Sequence, residues 1–130
     1  MQRQLVLAAA VNGFLAVALG AFGAHGLAAR LADVADAAKR LGWWNTASQY
    51  HLVHALALGL LAAFCPQMSA RWVSWAGVSW GIGVVLFCGS LYAMSASGRT
   101  SLAWVTPFGG LAFLLGWAAF AIGAARLTAR

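Results

Sequence analysis

The chain has 130 residues, 63% of them hydrophobic and only 8% charged, with a mean hydropathy of +0.82. A water-soluble protein of this length would lack the polar surface to cover itself, which excludes a soluble domain. The net charge of +6 does not point to nucleic acid, because Arg3, Arg30, Arg71, Arg99, Arg126 and Arg130 stand singly at the ends of apolar runs, as anchors to lipid headgroups do.

Four stretches, 5–27, 46–64, 73–94 and 107–125, contain no Asp, Glu, Lys or Arg. A helix rises about 1.5 Å per residue and the hydrocarbon core is roughly 30 Å thick, so each stretch is the length of a membrane-spanning helix. The first, Leu5 to Leu27, exceeds the apolar core of a secretory signal peptide. Its Asn12, Gly13, Gly20 and Gly23 suit a helix that stays and packs. Residues 28–44 hold both acids, Asp33 and Asp36, with Arg30, Lys39 and Arg40, while Leu27, Leu31, Val34, Ala38 and Leu41 recur at helical spacing. The pattern predicts a short amphipathic helix along the membrane interface, with Asp36 pairing to Lys39 and Arg40 one turn on. The second span opens with a capping-box spacing at Thr46 and Gln49, and the fourth with Thr106 followed by Pro107. The remaining connections, around Pro66 and Gly98, are short, so neighbouring spans run antiparallel. The expectation is an all-α membrane protein, one transmembrane domain over 1–130, built as an antiparallel four-helix bundle.

Tryptophans fall where interfacial belts are expected, with Trp43, Trp44 and Trp104 at one face and Trp72 and Trp75 at the other. Lys and Arg are divided four against four between the two faces, so the positive-inside rule gives no orientation. Spans associate in lipid through small residues, and Gly20 on the first, Gly77 and Gly81 on the third and Gly116 on the fourth are the packing candidates.

Alternating helix direction puts most polar side chains in one half of the membrane: His25 late in span one, Gln49, Tyr50, His51 and His54 early in span two, and Ser90 and Tyr92 late in span three. His25 and His54 are then expected at one depth, and His51 shares a helix face with His54. An ionisable residue inside a span suggests a site, although a histidine near a helix end also serves simply to tie helices together. Cys65 and Cys88 form no CxxC pair, and the spans supply no carboxylate beside the imidazoles, so neither metal, haem nor other cofactor is expected.

At these residues the chain resembles a known family. Gly20-Ala21-Phe22-Gly23-Ala24-His25-Gly26-Leu27, Thr46-Ala47-Ser48-Gln49-Tyr50 leading to His54-Ala55-Leu56-Ala57-Leu58, Gly89-Ser90-Leu91-Tyr92, and Thr106-Pro107-Phe108-Gly109-Gly110 with Gly116-Trp117 look like the successive signatures of the domain of unknown function 423 family. These are small bacterial inner-membrane proteins, related to a small mitochondrial transmembrane protein of animals. The family's second-span motif usually reads Tyr-Gln-x-Tyr-His, where this chain has His51 and Val53 in place of Gln and Tyr. The resemblance implies four spans in the bacterial inner membrane and brings no activity with it.

Two functional classes follow. The first is a structural or accessory component of a larger membrane assembly, or a homo-oligomer, with the lipid bilayer as its surroundings. The second is binding or conduction of a small molecule, lipid, quinone or proton through a pocket around His25 and His54. An enzyme is not expected, because the chain offers no nucleophile with a base, no paired carboxylates and no phosphate loop.

Overall fold

A computed structural model describes residues 1–127; Arg130 lies outside them. Four helices are long and apolar enough to cross a membrane: α1 (Gln2–Arg30), α2 (Ala37–Phe64), α3 (Ala70–Ser97) and α4 (Thr106–Ala124). No strand occurs among the described residues. Helix α1 packs along α2, and α3 along α4, so the chain forms two hairpins. The second half of α3 lies against α2 and joins them, while α1 and α4 lie apart.

The predicted interfacial helix does not form as a separate element. Residues 28–30 finish α1, residues 31–36 turn, and α2 begins at Ala37 and runs unbroken through Thr46 to Phe64. Thr46 and Gln49 are therefore interior to a helix and cap nothing. The reason lies in Arg40, whose guanidinium reaches across to the end of α3. It donates from Nε to the Ser95 carbonyl at 2.8 Å and from Nη2 to the Ala96 carbonyl at 2.7 Å, while the Ser95 hydroxyl donates back to the Arg40 carbonyl. These carbonyls belong to the last turn of a helix that ends on Gly98 at φ 72, a left-handed cap, and a fork of donors there satisfies groups the helix cannot. A cation spent in this way lets the helix extend past the point where the charges begin. Asp36 approaches Arg40 at 3.9 Å, whereas Lys39 lies over the Trp43 ring at 4.9 Å.

Trp44 leaves the expected belt for the interior. Its indole N–H donates to the Leu19 carbonyl at 2.7 Å, just ahead of a π-helical turn at Gly23–Leu27, and its ring meets Phe22 and Tyr92. Gly23 permits the crossing, since a Cβ there would overlap the indole. At the opposite end, the Arg71 and Arg126 guanidinium groups lie over the Trp72 ring, 5.4 and 5.3 Å from its centre.

Of the predicted packing glycines, Gly116 abuts the fully buried Trp80, Gly77 meets Leu5 and Leu61, and Gly20 faces Ser48. Gly81 touches nothing within 4 Å of where its Cβ would stand, so of the Gly77/Gly81 pair only Gly77 packs against neighbouring helices. The close approaches fall instead at Gly83 against Phe113 and Gly109 against the Phe87 backbone. Cys65 and Cys88 are buried and unbridged.

Candidate functional site

Because α2 starts early, His51 and His54 stand near its middle instead of in its opening turns. Both are buried, one turn apart, and each faces a different neighbour.

His51 faces α1 and α3. Asn12, one turn after Ala8, donates its amide to the Ala8 carbonyl at 2.8 Å, which leaves its side-chain oxygen directed at His51 Nε2, 3.1 Å away. An amide oxygen can only accept, so Nε2 carries the proton, and Nδ1 accepts the long 3.4 Å bond from the Tyr92 hydroxyl. Three helices are thereby joined through one ring.

His54 has the opposite tautomer. Its Nδ1 lies 2.7 Å from the Tyr50 carbonyl and must donate, whereas its Nε2 accepts the Trp117 indole N–H at 3.2 Å. The ring stacks on Phe113 with centres 3.6 Å apart, and Trp80 and Trp117 stand edge-on to it. Trp80 Nε1 is the one buried side-chain donor left without a partner among the described residues. This layer links α2 to α4 as His51 links α2 to α1 and α3.

The other sequence candidates divide. Tyr92 joins the His51 group, and Ser90 pairs its hydroxyl with that of Thr106 at 2.7 Å, tying α3 to the start of α4. Tyr50 is half exposed, its ring against Phe87 and Phe113. Gln49 is exposed. His25 does not meet His54: it sits exposed on the π-helical turn of α1 and shares no hydrogen bond or ring contact with either buried histidine. An extra residue in the turn changes the direction in which later side chains point, and spacing on a regular helix cannot anticipate it.

Asn12 and Trp117 carry the arrangement and were not among the sequence candidates. A signal existed for both. An amide or an indole in the middle of a span has no water to satisfy it, so its presence there already calls for a partner on another helix. Among the described residues no group of three or more His, Cys, Asp or Glu converges as metal ligands would.

Comparison with known proteins gives the family. Residues 19–110 match the family model described as "Protein of unknown function (DUF423)", and the chain belongs to that family. It is 42% identical to the "UPF0382 inner membrane protein YgdD" of Escherichia coli over 125 residues, 96% of this chain and 92% of the relative. It is 40% identical to the "UPF0382 membrane protein YwdK" of Bacillus subtilis, covering 93% and 95%, and 38% identical to a "UPF0382 membrane protein" of Haemophilus influenzae, covering 95% and 94%. No solved structure matches. The protein is thus a small multi-pass membrane protein of a family whose names specify no reaction.

Proposed function

We propose that the protein is a non-enzymatic accessory component of a larger assembly in the bacterial inner membrane, and that its buried histidines lock the bundle instead of serving a ligand. One observation carries this reading: all four ring nitrogens of His51 and His54 are engaged by groups of the same chain. No lone pair remains for a metal, and no N–H for a substrate. The pocket around His25 and His54 has correspondingly little support, because His25 faces outward and the His54 ring is enclosed by Phe113, Trp80 and Trp117. The inner-membrane location rests on the name of the Escherichia coli relative.

Helix α1 supports an accessory role from the other side. It is the least enclosed of the four, and Val6, Val11, Phe14 and Val17 all face outward along it. A photoreactive phenylalanine analogue at Phe14, activated in native membranes, should give one discrete protein adduct, while the same analogue at Leu114 on the outer face of α4 should give only lipid. Lipid adducts alone at Phe14, together with a chain that purifies from mild detergent without a stoichiometric subunit, would overturn the proposal.

A further inference from the structure

A groove of about 320 Å³ runs between α1 and α3, floored by Leu58 of α2 and walled by Leu5, Ala8 and Asn12 on one side and by Ser74, Gly77 and Gly81 on the other. Its outer lip continues into a second depression lined by Arg71, Ser74, Trp75 and Val78. Gly81 leaves this space open, for nothing stands within 4 Å of where its Cβ would be, while at Gly77 the groove narrows against Leu5 and Leu61. From Ser74 to Gly81 the groove runs roughly 10 Å along α3, seven residues at about 1.5 Å each, and its walls are mostly apolar, as an acyl chain requires.

The charge at its mouth selects the headgroup. Arg71 opens α3, is exposed, and makes no ion pair among the described residues; the only one found there is Asp36 with Arg40 at the other end of the bundle. Both acids of the chain, Asp33 and Asp36, lie at that far end, so the end with Arg3, Arg71 and Arg126 carries cations and no acidic side chain. Ser74 adds a neutral donor beside Arg71, the Gln4 amide lines the adjoining groove, and exposed Trp75 shares the depression with Arg71, an indole of the kind that sits among headgroups.

We propose that this groove is a binding site for one anionic glycerophospholipid, its phosphate held at Arg71 with Ser74 and Gln4, and one acyl chain laid along Gly77 and Gly81 toward Asn12. A basic residue at the membrane surface favours an anionic lipid by an amount equivalent to about fivefold in affinity. The test uses the full chain reconstituted in phosphatidylcholine bilayers with spin-labelled phosphatidylglycerol or phosphatidylcholine, and reads the immobilised fraction by electron spin resonance. Phosphatidylglycerol should be preferred about fivefold. Arg71→Gln should bring the two lipids to near equality, while Arg99→Gln at the opposite end should leave the preference intact. Gly81→Leu, which has room to fold, should fill the groove and remove one immobilised site for both lipids. Equal retention of the two lipids by the unmodified chain, or preference surviving Arg71→Gln, would overturn the headgroup assignment. An unchanged site count in Gly81→Leu, or a dimer that this substitution abolishes, would overturn the groove's occupancy by a chain of lipid.

Discussion

The pairing of Trp117 with His54 is open to a quantitative test by a double-mutant cycle. Trp117→Phe removes the indole N–H and leaves the Nε2 lone pair of a buried imidazole without a donor. In a soluble protein such an orphaned group costs about 1–3 kcal/mol. Hydrogen bonds between helices in a bilayer average only about 0.6 kcal/mol, with a maximum near 1.7, because the dissociated helices find other partners within the membrane. His54 is enclosed by three aromatic rings that keep out water, which places the expected loss at about 1–1.5 kcal/mol, less if the unpartnered Trp80 N–H turns to the freed nitrogen. His54→Phe keeps a ring to stack on Phe113 and orphans the indole instead, with a similar loss. The Tyr50 carbonyl is not stranded, because it belongs to an unbroken stretch of α2. In the double variant neither polar group remains, and stability should return to within about 0.5 kcal/mol of the original chain, since exchanging both partners for apolar groups of similar shape is nearly neutral. Reversible unfolding by SDS in mixed micelles, followed by far-UV circular dichroism, measures all four corners. Strictly additive losses, with coupling below about 0.3 kcal/mol, would refute the claim that this bond ties α2 to α4.

Gly116→Ala should lose about 1–3 kcal/mol in the same assay, because its Cβ would overlap the fully buried Trp80 ring, whereas Gly81→Ala should be neutral or stabilising. Arg40→Met removes two charge-assisted bonds to the Ser95 and Ala96 carbonyls and should cost about 3 kcal/mol, seen as faster amide hydrogen exchange over the last turn of α3. Arg40→Lys should recover only part of the loss, since a single ammonium cannot span two carbonyls as a planar fork does. His51→Ala should cost about 1–3 kcal/mol, and His25→Ala should change stability by less than about 0.5 kcal/mol, a contrast read directly from paired unfolding curves.

The four spans were legible because charge in hydrocarbon is so costly that its absence over about 20 residues marks the membrane. Helix ends were less so, and for a related reason. Lys39 and Arg40 closed the apolar run, and composition alone registers a cation as a cost. It cannot register that the cation is held by the carbonyls of another helix, which is how α2 gains its first turns. For the same reason His51 and His54 stand near the middle of α2 and not in its opening turns, since the helix begins at Ala37, well before Thr46. Glycine spacing had a different gap: a period of four residues finds a stripe on a helix but not the direction it faces. Gly116 bears a tight contact as expected, against Trp80, but Gly81 faces an open groove, while Gly83 and Gly109, outside the expected pairs, stand against Phe113 and the Phe87 backbone.

The polar interior shows what spacing arguments need beside them. Asn12, Trp80 and Trp117 are all placed within spans, where an unmet N–H is costly and water cannot supply an acceptor. Helical carbonyls keep a second lone pair, which Trp44 uses at Leu19 and Asn12 at Ala8, so an indole within a span is met by a carbonyl or by an imidazole, and the sequence alone does not choose between them. Trp80, the most enclosed aromatic ring in the chain, is the donor without a partner. His54 Nε2 has a single lone pair, and Trp117 holds it. Trp80 thus contributes through ring packing against Gly116, Trp117 and Phe120, and its N–H is the cost at which that packing is kept.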